Sequence, residues 1–237
     1  AEIYDLAVTK LLEADLGDGE ADPLVVDSLR PALECLAFDV FQEDPADPTI
    51  SRERLSAWIR KDLGYQPAEV ERFSKNIKRR RLLIPLDPDE TAYVFPHRSI
   101  LEFLAASHLA RQIEEKGWDN ARVTVSIIRN GAQNKKHLPL AYLLKEVILH
   151  SGWKSALTFF SQFVGDKPVG DRWLERLKSV TLPEVQRMRF ELMAACGTRA
   201  LSLFEKVLND EDSGFRRAAA AEALEGIGES ALPLIEK

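Results

Sequence analysis

The stretch Tyr93-Val-Phe-Pro-His-Arg-Ser-Ile-Leu-Glu-Phe-Leu-Ala-Ala106 decides the fold, because it begins with a strand pattern and ends with a helix pattern. Its first three residues are β-branched or aromatic, which favours a strand, and Pro96 ends that strand by removing a backbone donor. Ser99 and Glu102 have the spacing of a capping box at the start of the helix. His97 lies at the junction, beside amide groups that we expect to lack an intrahelical partner. Such a histidine either binds an anion or simply caps the helix or bonds a nearby carbonyl.

The composition of the 237-residue chain is that of a globular protein, with 45% hydrophobic and 30% charged residues. The net charge of −6 argues against a protein built mainly to coat nucleic acid. No apolar run approaches the ~18 residues that span a bilayer, and the N-terminus has no signal-peptide pattern. Because the chain begins in a helical pattern without an initiator methionine, we expect it to be a piece of a longer protein.

Cysteine and histidine usage predicts neither a disulfide framework nor a metal site. Cys35 and Cys196 lie far apart in apolar helical patterns, so we expect buried reduced thiols and a cytoplasmic location. The remaining histidines have no Cys or His partner at ligand spacing, and we expect them to be solvated or at the edge of a core. They are His108, His137 and His150. We identify no catalytic triad and no pair of catalytic carboxylates.

The first half of the chain predicts four helices and then a β-hairpin. The fourth helix begins at Pro67 and has an apolar stripe of Val70, Phe73 and Ile77. The predicted helices cover residues 2–14, 25–42 (with a kink or a new start near 28), 51–63 and 67–80, and the predicted strands cover 82–86 and 91–95. Three helices followed by a hairpin is the order of a winged-helix domain, with the hairpin as its wing. We place this domain at 21–117, after a helical linker tail at 1–20.

Basic residues cluster at the end of the fourth helix. They are Lys75, Lys78, Arg79, Arg80 and Arg81. In a DNA-binding winged helix, 67–80 would be the recognition helix and the cluster would meet phosphates. However, base-reading residues usually lie near the N-terminal end, and here the segment 67–71 is acidic. We therefore prefer a solvated helix end, which complements the helix dipole, or a surface for an acidic protein partner.

The motif Phe95-x-His97-x-Ser99-x-x-Glu102-Phe103-Leu104-Ala105-Ala106 resembles the winged-helix signature of NACHT-type NTPases. These belong to the STAND class of signal-transduction NTPases, which includes animal inflammasome receptors and bacterial antiphage proteins. Arg81-Leu82-Leu83 resembles the family's short strand before the wing, and Leu36-Ala37-Phe38 resembles one of its helices. The resemblance covers residues 2–116. It implies that His97 contacts the phosphates of ADP in the full-length protein and holds an inactive, closed form.

The chain departs from this family because it contains no P-loop. No G-x-x-x-x-G-K-[ST] occurs, and the early glycines Gly17 and Gly19 are not followed by Lys-Ser or Lys-Thr. We therefore expect no NTPase activity from this chain and no cofactor bound to it alone. The resemblance implies an upstream NTPase domain as the partner, with ADP or ATP and magnesium bound there.

Residues 118–237 predict HEAT-like helical repeats. Gly197-Thr-Arg-Ala-Leu-Ser-Leu-Phe-Glu-Lys206 aligns with Gly228-Glu-Ser-Ala-Leu-Pro-Leu-Ile-Glu-Lys237 at an offset of 31 residues. Val123 to Ile128 are rich in β-branched residues and could form a strand, but the helical flanks and the lack of an evident partner strand favour a helix. We also predict a loop at 131–136, helices at 138–149 and 153–163, a break at 165–170, and a further helix that carries Trp173, Leu174 and Leu177.

The predicted fold is therefore mainly α: a winged helix with a β-hairpin wing, followed by an α-solenoid that continues beyond residue 237. The predicted function is that of a non-catalytic regulatory and sensor region of a NACHT/STAND NTPase, which could act in bacterial antiviral defence. The winged helix would relay the nucleotide state and the repeats would bind a ligand or protein partner. The alternatives are a helical-repeat scaffold for protein–protein interaction without a switch, and a winged-helix nucleic-acid binder. No membrane association is expected.

Overall fold

The computed structural model describes residues 1–13, 23–44, 46–62, 64–118, 122–129, 132–139, 151–180, 185–209 and 214–231. In these ranges the chain is mainly helical, with a small three-stranded antiparallel sheet and a separate two-stranded hairpin. The chain divides into two compact units, Ala1–His108 (unit 1) and Leu109–Lys237 (unit 2). Within the ranges described, each helix is too short or too polar to cross a membrane.

Unit 1 contains helices close to the predicted ranges and three short strands. Helix α2 continues through Pro31, and α5 extends past His108 into unit 2. The elements are α1 (Glu2–Glu13), α2 (Pro23–Glu43), β1 (Ile50–Ser51), α3 (Arg52–Asp62), α4 (Pro67–Arg79), β2 (Ile84–Pro85), β3 (Ala92–Val94) and α5 (Arg98–Lys116).

The three strands of unit 1 form one antiparallel sheet in the order β1-β3-β2. Tyr93 in the central strand lies opposite Ile50 on one side and Pro85 on the other. The β2–β3 turn is held by the Asp87 carboxylate, which accepts hydrogen bonds from the backbone N–H of Thr91 at 2.9 Å and of Ala92 at 3.2 Å. The predicted hairpin is therefore confirmed, with shorter strands than the sequence pattern suggested.

Helices α3 and α4 begin with the residues that the sequence predicts. Ser51 Oγ accepts the N–H of Arg54 at 3.1 Å, which satisfies one of the free amides in the first turn of α3. Pro67 occupies the first turn of α4, where its missing N–H leaves no bond unmade. The predicted stripe of α4 is confirmed as buried. Burial of each such side chain contributes about 1.5–3 kcal/mol. The stripe consists of Val70, Phe73 and Ile77.

Unit 2 begins with a β-hairpin and continues with short helices. It contains β4 (Arg122–Arg129), β5 (Ala132–Pro139), a 3-10 turn (Ser151–Trp153), α6 (Lys154–Gly165), α7 (Val169–Lys178), α8 (Gln186–Ala194), a 3-10 turn (Gly197–Ala200), α9 (Leu201–Leu208), α10 (Gly214–Leu224) and a 3-10 turn (Glu225–Ala231).

The predicted helix at Val123–Ile128 is wrong, because these residues belong to β4. This strand pairs with β5 so that Arg122 lies opposite Pro139 and Arg129 lies opposite Ala132. β-branched residues favour an extended chain, whereas the partner strand has the polar composition of a loop over residues 132–136. The predicted loop at 131–136 is wrong over residues 132–136 for the same reason. The predicted helix at 138–149 falls on β5 at its first two residues, and the rest lies outside the described residues.

An aromatic cluster forms a centre of the core of unit 2. Trp173 is fully buried, and its ring meets that of Phe160 edge-on at 4.8 Å and stacks on Trp118 at 5.9 Å. The indole Nε1–H of Trp173 donates to Ser161 Oγ at 2.9 Å, so this polar group is satisfied inside the core. The prediction of a helix that buries Trp173, Leu174 and Leu177 is confirmed.

Two glycines mark the tight corner between α6 and α7. A Cβ atom on Gly170 would lie only 2.4 Å from the carbonyl oxygen of Val164, and one on Gly165 would lie 2.8 Å from the carbonyl oxygen of Cys196. Both neighbours are backbone atoms, which cannot turn away as a side chain can. The break predicted at 165–170 is therefore a corner that needs glycine.

The two copies of the predicted repeat share one backbone feature. Gly197 and Gly228 both adopt a left-handed conformation, with φ of 66° and 76°, which favours glycine. Ala200 and Ala231, three residues later in each copy, are both fully buried. Helix α8 packs against both α6 and α10. Residues 232–237 of the second copy lie outside the described residues.

Candidate functional site

His97 is the N-cap residue of α5. Its carbonyl oxygen accepts the N–H groups of Ile100 at 3.0 Å and Leu101 at 3.3 Å, which are the first bonds of the helix. Its ring Nδ1 accepts the backbone N–H of Ser99 at 3.1 Å. The imidazole therefore satisfies an amide of the first turn, as an Asn or Asp side chain does at this position. The capping role, one of the two alternatives for this histidine, is what the described contacts show.

The predicted capping box of Ser99 and Glu102 is wrong. Helix α5 starts at Arg98, so Ser99 is already its second residue and His97 holds the cap position. The buried Glu102 carboxylate accepts instead from Arg98 Nε at 3.0 Å, one helical turn earlier. Ser99 and Glu102 have the three-residue spacing of a capping box, but α5 begins at Arg98, so Ser99 lies inside the helix and cannot be its cap.

The cap fixes the chemistry of the His97 ring. Because Nδ1 accepts a hydrogen bond, the proton of the neutral imidazole lies on Nε2. The His97 side chain is exposed, so Nε2–H is accessible as a donor. The amides of Ser99, Ile100 and Leu101, which we expected to be free, already have acceptors within the first turn. Anion binding at this point would therefore depend on the imidazole.

The five basic residues at the end of α4 do not form one surface. Arg80 is buried, with 6% exposed, and its guanidinium donates to the carbonyl oxygen of Leu12 in the last turn of α1. Lys78 Nζ pairs with Glu90 of the β2–β3 turn and lies 5.9 Å from the centre of the Tyr93 ring. The Lys78 ammonium group lowers the pKa of the Glu90 carboxyl.

The remaining members of the basic cluster lie on the outside of unit 1. Lys75, Arg79 and Arg81 are exposed, and Arg81 adopts a left-handed conformation with φ of 55°. The basic cluster was predicted to complement the carbonyls at the end of α4, and the Arg80 guanidinium instead donates to a carbonyl in the last turn of α1. Lys78 and Arg80 are engaged within unit 1, which weakens the case for a continuous phosphate-binding face.

A polar network that the sequence did not indicate ties α5 to α1 and α2. The Glu34 carboxylate is buried, and it accepts from Ser107 Oγ at 2.9 Å and from Arg30 Nε at 3.1 Å. Arg30 also donates to Asp5 of α1. The spacing of Arg30 and Glu34, four residues apart on one helix, was the available signal. This network supports the helix that carries His97.

The other candidate groups do not converge on a reactive site. Cys196 is buried, and this burial raises the pKa of its thiol to about 12, so it is a poor nucleophile. His108 is buried against the ring of Phe38 at 5.0 Å, and Cys35 is half-buried. Within the part of the chain that the structure describes, no group of three or more His, Cys, Asp or Glu residues could hold a metal ion.

Unit 2 contains a cavity of about 460 Å³ that the sequence analysis missed. The cavity forms where Trp118 approaches α7, and the sequence does not show this approach. The sequence shows only that Arg172 and Arg176 are four residues apart. The lining consists of Trp118, Arg172, Glu175, Arg176 and Ser179.

Comparisons of this chain with models of protein families, with curated proteins and with solved structures give no match. The functional interpretation therefore depends on the residues and the geometry described above.

Proposed function

We propose that this chain is the non-catalytic regulatory and sensor region of a NACHT-type STAND NTPase. In this proposal unit 1 holds a winged helix that relays the nucleotide state of an NTPase domain elsewhere in the same protein. The helices of unit 2 form a solenoid that binds a ligand or protein partner. The chain itself carries no ATPase activity, and ADP or ATP with magnesium is bound by the NTPase domain.

The topology of unit 1 supports the winged-helix part of the proposal. The element order is helix, strand, two helices and a hairpin, and β1 pairs with the second strand of that hairpin. This arrangement is the one expected of a winged helix whose hairpin is the wing. The stack of α6, α8 and α10 likewise supports a solenoid, since helix pairs in such proteins bury their apolar faces against neighbouring pairs.

The observation that carries the nucleotide role is the orientation of the His97 ring. Its Nδ1 is occupied by the Ser99 amide and its accessible Nε2–H is a donor. A phosphate oxygen is a suitable acceptor for that donor. The Glu34 network and the buried Phe103 side chain hold α5 in place, so the donor belongs to a well-supported helix.

A pair of substitutions at His97 separates the nucleotide role from the capping role. His97→Asn retains an N-cap acceptor for the Ser99 amide but removes the imidazole donor. His97→Ala removes both. In the complete protein that contains this chain, we expect both variants to lose ADP during purification, measured by chromatography of the nucleotide released on denaturation. We also expect both variants to signal without a ligand.

Thermal unfolding provides the control, because only His97→Ala should lose the stability of the cap, about 0.5–2 kcal/mol. Retention of ADP at the wild-type level by His97→Asn would refute the nucleotide role. Absence of a P-loop from the protein that contains this chain would refute the switch as a whole.

The second candidate function is a helical-repeat scaffold without a switch, and the stacking of α6, α8 and α10 favours it equally. A winged-helix nucleic-acid binder is the third, and the inward position of Arg80 counts against it. A DNA-binding titration over a salt series tests the third candidate. Binding through phosphates must strengthen steeply at low salt, and a flat, weak response would exclude it.

A further inference from the structure

The β4–β5 hairpin of unit 2 carries positive charges and no negative ones. In the whole chain, acidic residues outnumber Lys and Arg by 38 to 32, and the net charge is −6. By contrast, neither strand of the hairpin contains an Asp or a Glu. Its formal positive charges are Arg122, Arg129, Lys135 and Lys136. The hairpin is therefore a local cationic element, and this composition favours attraction to a polyanion.

The register of the hairpin separates its residues into two faces of different chemistry. Successive residues of a strand alternate between faces, and directly opposite residues of antiparallel strands share a face. Ser126 lies opposite Lys135, and Thr124 lies opposite His137. We call the face that contains these pairs the donor face, because most of its residue types donate hydrogen bonds. The donors are Arg122, Thr124, Ser126, Gln133, Lys135 and His137.

The opposite face of the hairpin is mainly apolar. Its apolar members are Val123, Val125, Ile127, Ala132 and Leu138. Antiparallel sheets commonly pack an apolar face on a core and keep the polar face for water or a partner. The remaining two cations, Arg129 and Lys136, belong to this apolar face. The neighbouring residues Lys135 and Lys136 therefore carry the same charge on opposite faces.

The dimensions of the hairpin match the major groove of B-form DNA. Each strand has eight residues, so its length is about 27 Å at about 3.4 Å per residue. This length corresponds to about eight base pairs at about 3.4 Å per pair. Paired strands lie about 4.7–4.9 Å apart, and the groove, about 12 Å wide, admits a two-stranded ribbon. Donors along one face suit phosphate oxygens and the acceptors on base edges.

We propose that the donor face of the β4–β5 hairpin binds double-stranded DNA in the major groove, with Arg122 and Lys135 as the phosphate contacts. Binding is driven by the counterions that each neutralised phosphate releases. The hydroxyl groups of Thr124 and Ser126 add neutral hydrogen bonds to phosphates or base edges. This surface goes beyond the proposed nucleotide switch and does not depend on it, because it needs no NTPase domain. It also differs from the winged-helix nucleic-acid binder, whose contacts would lie in unit 1.

The test measures binding of the whole chain to a short, fluorescently labelled DNA duplex by anisotropy over a salt series. We expect log K to fall with log salt with a slope of about −1.8, since each of two phosphate contacts contributes about −0.9. Lys135→Gln should halve this slope and weaken binding about eightfold in about 0.1 M salt, and Arg122→Gln should do the same. Lys135→Arg keeps the charge and should bind as the wild type does, which separates loss of charge from loss of folding.

Matched variants decide which face of the hairpin meets the DNA. Lys136→Gln and Arg129→Gln remove the same charge from the apolar face and should leave the slope and the affinity close to those of the wild type. Equal losses in Lys135→Gln and Lys136→Gln would show attraction without a defined face and would overturn the proposal. Lys75→Gln and Arg81→Gln remove exposed charges at the end of α4. A loss of affinity confined to these two variants would place the DNA on unit 1 and would also overturn it.

Two competing polyanions test the identity of the ligand. An RNA duplex of the same sequence has a deep, narrow major groove that side chains cannot read, so it should displace the labelled DNA poorly. Polyglutamate carries negative charge without phosphates or grooves and should also compete poorly. The proposal is refuted if either competitor binds as tightly as duplex DNA, or if the wild-type chain shows no salt-dependent binding. Retention of ADP by the complete protein is unaffected by any of these results, so the nucleotide switch is tested separately.

Discussion

Replacement of Gly170 by alanine should destabilise unit 2 although alanine is the better helix former. The added Cβ would lie 2.4 Å from the carbonyl oxygen of Val164 and 2.9 Å from that of Gly165. Ordinary contacts begin near 3.4 Å, so the α6–α7 corner must open by about 1.0 Å (3.4 − 2.4). Both obstructing atoms belong to the backbone, so the shift must involve the corner of α6 and α7 itself.

The cost of this overpacking is about 1–3 kcal/mol. Alanine recovers about 0.4–1 kcal/mol by restricting the unfolded chain. The net loss should therefore be roughly 1–2 kcal/mol. For a chain of this length, each kcal/mol lowers Tm by about 2–4 °C. We expect Gly170→Ala to unfold several degrees below the wild type, as measured by circular dichroism, and at lower urea concentration.

Gly214→Ala is the matched control, because nothing lies within 4 Å of the Cβ position at Gly214. Its φ angle is not left-handed, so alanine should be neutral or slightly stabilising there. Gly165→Ala, with a contact of 2.8 Å, should fall between the two. Equal stability of the Gly170→Ala and Gly214→Ala variants would show that the corner is looser than described and would refute the reasoning.

Three further predictions concern charged and titratable groups. Arg80→Met should lower the free energy of unfolding by about 1.5–3 kcal/mol, the value of a charged hydrogen bond, and should speed amide exchange at the end of α1. Lys75→Met, the control, should change neither the stability nor the exchange rate. Cys196 should resist a thiol reagent at pH 8 in a Cys35→Ser variant until the chain unfolds, because burial raises the pKa of its thiol from 9.0 to about 12. The stability that the protonated thiol gives to the folded chain is fully present below pH 9.0 and is lost as the pH rises towards 12. Rapid modification of the folded variant would contradict this. Hydrogen bonds from Thr91 lower the pKa of Asp87 below 3.8, so the contribution of Asp87 to the stability of the β2–β3 turn is present above pH 3.8 and is lost as the pH falls through the lower, folded value. An NMR titration in which the Thr91 amide signal moves with a midpoint at or above pH 3.8 would disprove it.

The helices of unit 1 could be predicted because local signals agreed with one another. Pro67 marks the start of α4, and the period of Val70, Phe73 and Ile77 marks its buried face. The capping box failed because a spacing of three residues does not fix where a helix starts, and the carbonyl of His97 accepts the first helical bonds. Local sequence patterns predict reliably that a helix exists, but they predict its first and last residues less well.

The features that escaped prediction depend on a strand with an atypical sequence pattern or on contacts between distant parts of the sequence. Strand β4 was assigned to a helix because its partner, β5, does not alternate in the pattern of a half-buried strand. The inward turn of Arg80 depends on the end of α1, 68 residues earlier in the chain. The cavity of unit 2 likewise requires Trp118 to meet α7. For Arg80 and for the cavity, no single window of sequence contains both partners of the contact.

The cap on α5 also makes the imidazole of His97 sensitive to displacement. One edge of the ring is fastened to the first turn of the helix, so the opposite nitrogen travels with that turn when α5 moves. An N–H···O bond forms over about 2.7–3.2 Å. A shift of about 1 Å in the start of α5 would therefore break any bond that Nε2 makes to a neighbour, long before the helix itself unwinds. Whether a hydrogen bond at Nε2 is intact therefore reports the position of the start of α5, over a range set by the length of one hydrogen bond.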